Sequence, residues 1–310
     1  MPKAYVFTRY GGPETQEFVE LDRPVPGPGQ VLVAVRAAGV NPVDWKLRTG
    51  YRRPGDTGER VFPSVLGNEV AGVVEETGEG VTGFAPGAEV FGTAVAGGYA
   101  EYALLTTDFA AAKPATLSFA EAATLPVAAA TAYDGVHQLA LPAGATLVVT
   151  GAGGGVGVAA VQIARALGVR VVGVASEGKK EFLEALGAVH VASGPGWDER
   201  ARTAAPEGVD GVYDLVGGEV LHQAAALLTD RSKLITAGAP AEEVEALGGA
   251  RVARVRESAV LEAVADLAVR GALNPHVTRT FPLEQAGEAL RTVEDGHARG
   301  KVVIEIGAAI

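Results

Sequence analysis

The chain has 310 residues, 48% of them hydrophobic and 20% charged, with a formal net charge of −11 and no cysteine. That length exceeds what one hydrophobic core ordinarily holds, so two domains are expected. The acidic balance argues against nucleic acid or an anionic membrane as partner, and the lack of cysteine excludes disulfides and any zinc site built on thiolates.

No uninterrupted apolar run reaches the roughly 20 residues of a membrane span. Met1–Phe7 alternates like a strand and has no apolar signal core, so a cytoplasmic protein is expected. Short runs rich in Val, Tyr and Phe follow at Lys3–Phe7, Val31–Ala37, Val70–Glu76, Glu89–Gly92 and Tyr99–Leu105, with Gly/Pro clusters between them. Strands at that spacing predict a barrel or sandwich. Ser118 with Glu121 three residues later reads as a capping box that opens a helix. From there strand and helix alternate: strand Ala145–Thr150, helix Val158–Leu167, strand Arg170–Ala175 and helix Lys180–Leu186. Val209–Val216, Leu221–Leu228 and Lys233–Ala237 continue the alternation, which predicts a parallel, doubly wound sheet. A further helix spans Ser258–Arg270. The last strand, Lys301–Ile306, is β-rich again and is expected to return to the first domain.

The segment Val148-Val149-Thr150-Gly151-Ala152-Gly153-Gly154-Gly155-Val156-Gly157-Val158 runs from a strand through five glycines into a helix. A diphosphate rests on a helix N-terminus only where no Cβ keeps the backbone away, and the exposed N–H groups and helix dipole then attract it. A purely structural turn is the competing reading; the placement inside a βαβ unit favours the cofactor, through Gly154, Gly155, Val156 and Gly157. The next strand ends in Ala175-Ser176 without the acid that would bind a ribose 2′-hydroxyl, and Lys179 and Lys180 follow. A hydroxyl and cations suit a 2′-phosphate, so NADP (as NADPH) is expected over NAD, with Glu177 as the opposing feature. Val216 and Gly217 after one strand, and Ala237 and Gly238 after the next, complete the expected cofactor wall, together with Asp214 and Gly218.

Six motifs in order resemble the zinc-independent quinone oxidoreductases, the zeta-crystallin-like group of the medium-chain dehydrogenase/reductase superfamily. They are Asn41-Pro42-Val43-Asp44 in its surroundings, Gly67-Asn68-Glu69-Val70-Ala71-Gly72, Gly98-Tyr99-Ala100-Glu101-Tyr102, Leu125-Pro126 to Tyr133, the glycine run, and Gly296-His297-Ala298-Arg299-Gly300-Lys301-Val302-Val303. The resemblance implies an α/β fold with a GroES-like β-barrel catalytic domain, residues 1–117 and 273–310, and a Rossmann domain, residues 118–272. It also implies an active site in the cleft between them and a homodimer built through the Rossmann sheets. Zinc alcohol dehydrogenases of the superfamily carry Gly-His-Glu where this chain has Gly67-Asn68-Glu69, so no metal site is expected. The histidines His137, His190, His222, His276 and His297 have no ligand spacing. Gly194 stands where members often carry a Tyr near the adenosine phosphate.

Hydride transfer to a carbonyl-conjugated acceptor leaves charge on oxygen, which calls for hydrogen-bond donors. Asn41, Tyr51 and Tyr133 are the candidates; the resemblance implies that Asn41 borders the nicotinamide, Tyr133 is expected to wall it, and Thr131 is expected to bind the cofactor. Asn41 and Asp44 have a competing reading as helix caps, the favoured role for Asp44. Tyr51 is as readily a packing residue, Trp45 a core residue, and Arg52 and Arg53 surface residues. The expected activity is reduction of a small-molecule quinone or related conjugated carbonyl. An enoyl reductase for α,β-unsaturated ketones or thioesters is the first alternative and a non-catalytic NADPH-binding protein the second. A metal-dependent alcohol dehydrogenase ranks third. The loop Arg52 to Phe62 is expected to carry substrate specificity.

Overall fold

β-Branched stretches interrupted by glycine and proline give the N-terminal third its strands. The structure is a computed structural model that describes residues 1–53, 58–296 and 298–307. His297 of the C-terminal motif and residues 54–57 of the loop expected to carry specificity therefore lie outside the described residues. The chain forms two units: Met1–Val127 with Arg256–Val269 and His276–Ile310, and Ala128–Val255 with Arg270–Pro275. The sequence-based expectation placed the crossings after 117 and 272.

The first unit opens with β1 (Lys3–Phe7), β2 (Gln16–Glu20) and β3 (Gln30–Val40). Helix α1 (Pro42–Arg48) follows, then β4 (Ser64–Val65), β5 (Glu69–Thr77), β6 (Glu89–Ala94), β7 (Tyr102–Ala112) and α2 (Phe119–Ala122). Ser118 and Glu121 form the expected capping box at α2. The second unit carries α3 (Ala130–Leu139), β8 (Thr146–Thr150), α4 (Gly155–Ala166), β9 (Arg170–Ala175) and α5 (Lys180–Ala185). It continues with β10 (Val189–Ala192), α6 (Trp197–Ala204), β11 (Gly211–Asp214), α7 (Glu219–Ala225), β12 (Leu234–Thr236), α8 (Ala241–Ala246) and β13 (Ala250–Arg251). The chain then returns through α9 (Ser258–Val269), β14 (Val277–Pro282), α10 (Ala286–Glu294) and β15 (Lys301–Glu305).

In the first unit β14-β15-β3-β5-β6-β7 form one sheet, and β3 also pairs with β7, from Gln30↔Thr106 to Ala34↔Tyr102, which closes it into a barrel. The irregularities in β3 between Leu32/Val33 and Val35/Ala37 bend the strand enough to serve neighbours on both edges. The C-terminal strand does return: β15 pairs with the end of β3, Val302↔Val40 to Glu305↔Ala37. Val31, Val33, Val35, Val70, Val90, Leu105, Val302 and Ile304 fill the interior. In the second unit the strands are parallel in the order β10-β9-β8-β11-β12-β13, so strand order reverses between β8 and β11. This is a two-domain α/β fold with a GroES-like first unit and a Rossmann-like parallel sheet.

The strand expected over Tyr99–Leu105 instead starts at Tyr102 and runs to Ala112. Tyr99 is drawn out of it because its N–H donates to the Leu66 carbonyl at 2.8 Å and its own carbonyl accepts from Tyr5 N–H at 2.8 Å. β2, β10, β13 and β14 were not foreseen; each lies at a sheet edge, where a mixed or polar pattern suffices. Among the described residues no helix is long and apolar enough to cross a membrane.

Arg48 on α1 is 1% exposed and grips Glu294 on α10 at 2.7 and 3.2 Å while donating to the Gly11 carbonyl at 3.1 Å. Removing the carboxylate strands a buried guanidinium. Glu294→Ala is expected to cost about 2–3 kcal/mol, less than for a wholly buried pair because Glu294 is partly exposed, read as a lower urea midpoint with unchanged slope.

Candidate functional site

Three strand ends and one loop of the first unit meet in a buried polar cluster. Pro42 at the first position of α1 ends β3 and starts the helix, which leaves Asn41 as its N-cap. The Asn41 N–H donates to Asp44 Oδ2 at 2.8 Å, so the expected capping role of Asp44 is present. Lys301, at the start of β15, spends its three N–H donors on Glu69 Oε1 (2.8 Å), Asn41 Oδ1 (2.6 Å) and the Val40 carbonyl (3.2 Å). Asn41 Nδ2 donates to Glu69 Oε1 at 2.7 Å, and the Val127 N–H donates to Glu69 Oε2 at 2.7 Å. Gly39 passes so close that a Cβ there would overlap the Glu69 carboxylate. Asn41 is thus 3% exposed, with its carbonyl and one amide N–H committed to neighbours.

Beside this cluster is a cavity of about 590 Å³ whose wall includes Asp44, Tyr51, Arg52, Arg53, Arg60 and Asn68. Asn41 is not among its lining residues. Tyr51, 38% exposed, is on the wall as expected, and Trp45 packs against the apolar core. Arg53 departs from the surface reading: its guanidinium donates to Asn68 Oδ1, and Asn68 Nδ2 donates to Asp44 Oδ1. The Tyr99 hydroxyl donates to Asp44 Oδ2 at 2.7 Å. Burial pushes the Asp44 carboxyl up to about 6 despite the bonds it accepts from Tyr99, Asn41 and Asn68, and Glu69 adds to the rise. Burial, then Asp44 itself, raises the Tyr99 phenol well above its ordinary value. The sequence reading missed Asn68; its one signal was an amide standing between Gly67 and Glu69 at the entrance of an apolar strand.

In the second unit the predicted cofactor residues gather at the carboxyl ends of the parallel strands, beside the reversal of strand order, where ligands of such sheets bind. The glycine run leaves β8 with Gly151 at φ +65°, and Gly154 caps α4. The first-turn N–H groups of α4, at Gly155, Val156 and Gly157, have no partner within the helix. A Cβ on Gly154 would meet only the Gly151 carbonyl at 3.6 Å, whereas one on Gly157 would sit 2.5 Å from Ala152 Cα and 2.5 Å from that carbonyl. Gly154 therefore leaves an approach open, and Gly157 lets the helix pack on its own bend. Lys179 lies over the bend, with Nζ 3.4 Å from the Gly153 carbonyl; Ser176 and Lys180 are exposed beside it.

Asp214, expected on the cofactor wall, is fully buried and clamps the strand ends. It accepts from Thr150 Oγ1 (2.7 Å), Thr236 Oγ1 (2.7 Å) and the Gly217 N–H (3.0 Å). A Cβ on Gly217 would crowd the Gly238 carbonyl at 2.8 Å, so these two loops pack backbone to backbone, with Ala237 between them and Val216 half exposed. On α3, Tyr133 stacks on His137 with centroids 3.9 Å apart. The Thr131 carbonyl accepts from Tyr213, and its hydroxyl accepts from Arg254, which also pairs with Asp134 at 2.8 Å.

Zinc does not suit the first unit's cluster. The Glu69 carboxylate already faces an ammonium, Asp44 is filled by three donors, and Asn68 offers an amide. Among the described residues no three His, Cys, Asp or Glu side chains form a metal cage.

Two outcomes follow from this geometry. Because Asp44 titrates near 6 folded and near 3.8 otherwise, folding takes up a proton between those values. Its contribution to unfolding free energy falls as pH rises through that window, by roughly 3 kcal/mol. Asp44→Asn lacks that fall, so the wild-type-minus-variant difference in urea stability drops from pH 4 to pH 6.5. Gly157→Ala forces the bend apart and is expected to cost about 1–3 kcal/mol in thermal or urea unfolding.

Residues 27–115 match the alcohol dehydrogenase GroES-like domain and residues 186–304 match the zinc-binding dehydrogenase family. Human quinone oxidoreductase is 31% identical over 95% of both chains, and the rat protein is 33% identical over 94% of this chain and 93% of its own. The spectinabilin polyketide synthase system protein NorB of Streptomyces orinoci is 36% identical over 91% of this chain, which spans only 13% of that protein. Among solved structures, the quinone oxidoreductase from Coxiella burnetii superposes with a TM-score of 0.88 at 30% identity, covering 98% of this chain and 99% of that one. CurK enoyl reductase superposes with 0.85 at 27% identity, covering 98% and 99%. With likeness of this degree over nearly its whole length, the chain belongs to the quinone oxidoreductase family of the medium-chain dehydrogenase/reductase superfamily and is an oxidoreductase of that superfamily.

Proposed function

We propose that this chain passes hydride from NADPH to a quinone or a related conjugated carbonyl without a metal ion. The observation that carries the reading is the glycine bend at the carboxyl end of β8, beside the reversal of strand order, with an approach left open at Gly154 and Lys179 lying over Gly153. When bound, a nicotinamide dinucleotide supplies the hydride. The chain's part is to bind, orient and stabilise charge. The N–H groups of Gly155, Val156 and Gly157 hold the diphosphate, aided by the helix dipole. Ser176, Lys179 and Lys180 take the 2′-phosphate, and Val216, Gly217, Ala237 and Gly238 offer backbone and small side chains along the carboxyl ends of β11 and β12. Thr131 and Tyr133 shape the α3 side. Tyr51 and the polar wall of the first unit's cavity receive the acceptor. Asn41 contributes by fixing Lys301 and Glu69, which sets the start of α1.

The metal-free part rests on chemistry: an ammonium 2.8 Å from Glu69 repels a second cation, and an amide is a poor zinc ligand. Enoyl reduction is a second reading, favoured by the likeness to the polyketide synthase protein and to CurK enoyl reductase. The reading extends to a cytoplasmic homodimer; sedimentation gives the oligomeric state.

NADPH and NADH oxidation with one quinone and one enone test the proposal. NADPH is expected to be the better donor and the quinone the better acceptor. Lys179→Ala is expected to raise the KM for NADPH about tenfold while leaving that for NADH within twofold, the loss of one charge-assisted contact. Equal responses to both cofactors would place the 2′-phosphate elsewhere.

A further inference from the structure

One polar group on the cavity wall of the first unit is both buried and held by its neighbours. Asn68 is 6% exposed, lines the cavity and stands at the entrance to β5. Its carboxamide orientation is settled by its partners: a guanidinium can only donate, so Oδ1 faces Arg53, and the Asp44 carboxylate accepts, so Nδ2 faces Asp44. Those contacts use the oxygen and one N–H. The second N–H has no partner among the described residues. The backbone around it is equally committed: the Asn68 carbonyl accepts from the Ala94 N–H at 3.0 Å, and the next residue, Glu69, is tied to Lys301. An amide held on three sides at a cavity wall is a preorganised donor, the arrangement that stabilises charge developing on an oxygen.

We propose that Asn68 is the catalytic residue that hydrogen-bonds the acceptor's carbonyl oxygen, and that Asp44 and Arg53 are positioning residues that hold its amide in place. The inference rests on the hydride-transfer reading above. In the step, the C–H bond of the dihydronicotinamide would break and its hydride would carry both electrons to a carbon of the acceptor. The carbonyl π pair moves onto oxygen, and the Asn68 N–H stabilises that oxyanion. A proton from solvent then completes the reduced product, while NADPH leaves as NADP⁺. Arg53, bonded to the Asn68 oxygen, polarises the amide and makes its N–H a stronger donor. The substrate class that fits is an acceptor presenting one carbonyl oxygen to the wall, a quinone or an enone.

The test is Asn68→Ala, with Asn68→Ser as the second variant, because Ser still offers Arg53 an acceptor if the alanine protein does not fold. Three readouts are taken: kcat/KM with a quinone and an enone, the Kd of NADPH for the cofactor-free protein, and the Kd of para-nitrophenolate, as an oxyanion mimic, for the NADP⁺-bound protein. The expected result is a loss of about a hundredfold in kcat/KM, at least tenfold weaker phenolate binding, and an NADPH Kd within threefold of wild type. The proposal is overturned by kcat/KM or phenolate binding that stays within threefold of wild type. It is overturned equally by an NADPH Kd that weakens in proportion to activity, since a structural role gives that pattern. Should wild type reduce neither acceptor yet bind phenolate through Asn68, the functional reading fails while the donor assignment stands. If wild type reduces neither acceptor and the variant binds phenolate unchanged, both fall.

Discussion

The ion pair between Lys301 and Glu69 organises the first unit. Either charge alone in that interior would cost several kcal/mol, so neither side chain is tolerable without the other. Together they bring the end of β3, the start of β5, the start of β15 and the Val127 loop to one point. That convergence leaves Asn41 at the head of α1 and Asn68 at the cavity wall. The polar wall thus depends on a pair that does not itself line it. It also explains why a segment some 230 residues away in sequence belongs to this unit: the strand it starts brings the ammonium that the carboxylate requires.

The second unit has a counterpart in Asp214. One buried carboxylate accepts from the hydroxyls that end β8 and β12 and from the loop that follows β11. It draws three neighbouring strand ends level, so the glycine bend after β8 and the small-residue loops after β11 and β12 form one lip. In both units a buried acid shapes the functional surface without lining it. The chemistry proposed for the surface falls to groups that have little side chain, the helix N–H groups and the glycines, or to a single amide.

The chain's alternation of β-branched runs and glycine punctuation announced a barrel or sandwich, and its later βαβ rhythm the parallel sheet. Both are local signals that survive in a linear reading. Edge strands such as β2, β13 and β14 carry no such rhythm, because few of their side chains are buried. Asp44 was legible as a cap because Asn and Asp are preferred at helix starts. Its further bonds to Tyr99 and Asn68 join residues 55 and 24 positions away, and no local pattern records them. Arg53 was read as a surface charge because an arginine's neighbours in sequence do not say which way its long side chain folds.

The sequence alone determined the fold class, the glycine bend between β8 and α4, and the return of the last strand, since these rest on periodicity and on conformations that only glycine supplies. Tertiary structure decided which polar side chains are committed and which of them reach the cavity wall. Asn41 and Asn68 each commit the side-chain oxygen and one amide N–H to neighbours, but of the two only Asn68 lines the cavity. The reason is that hydrogen-bond commitment in a dry interior is set by neighbours in space, and the partners of both amides come from elements far apart in the chain.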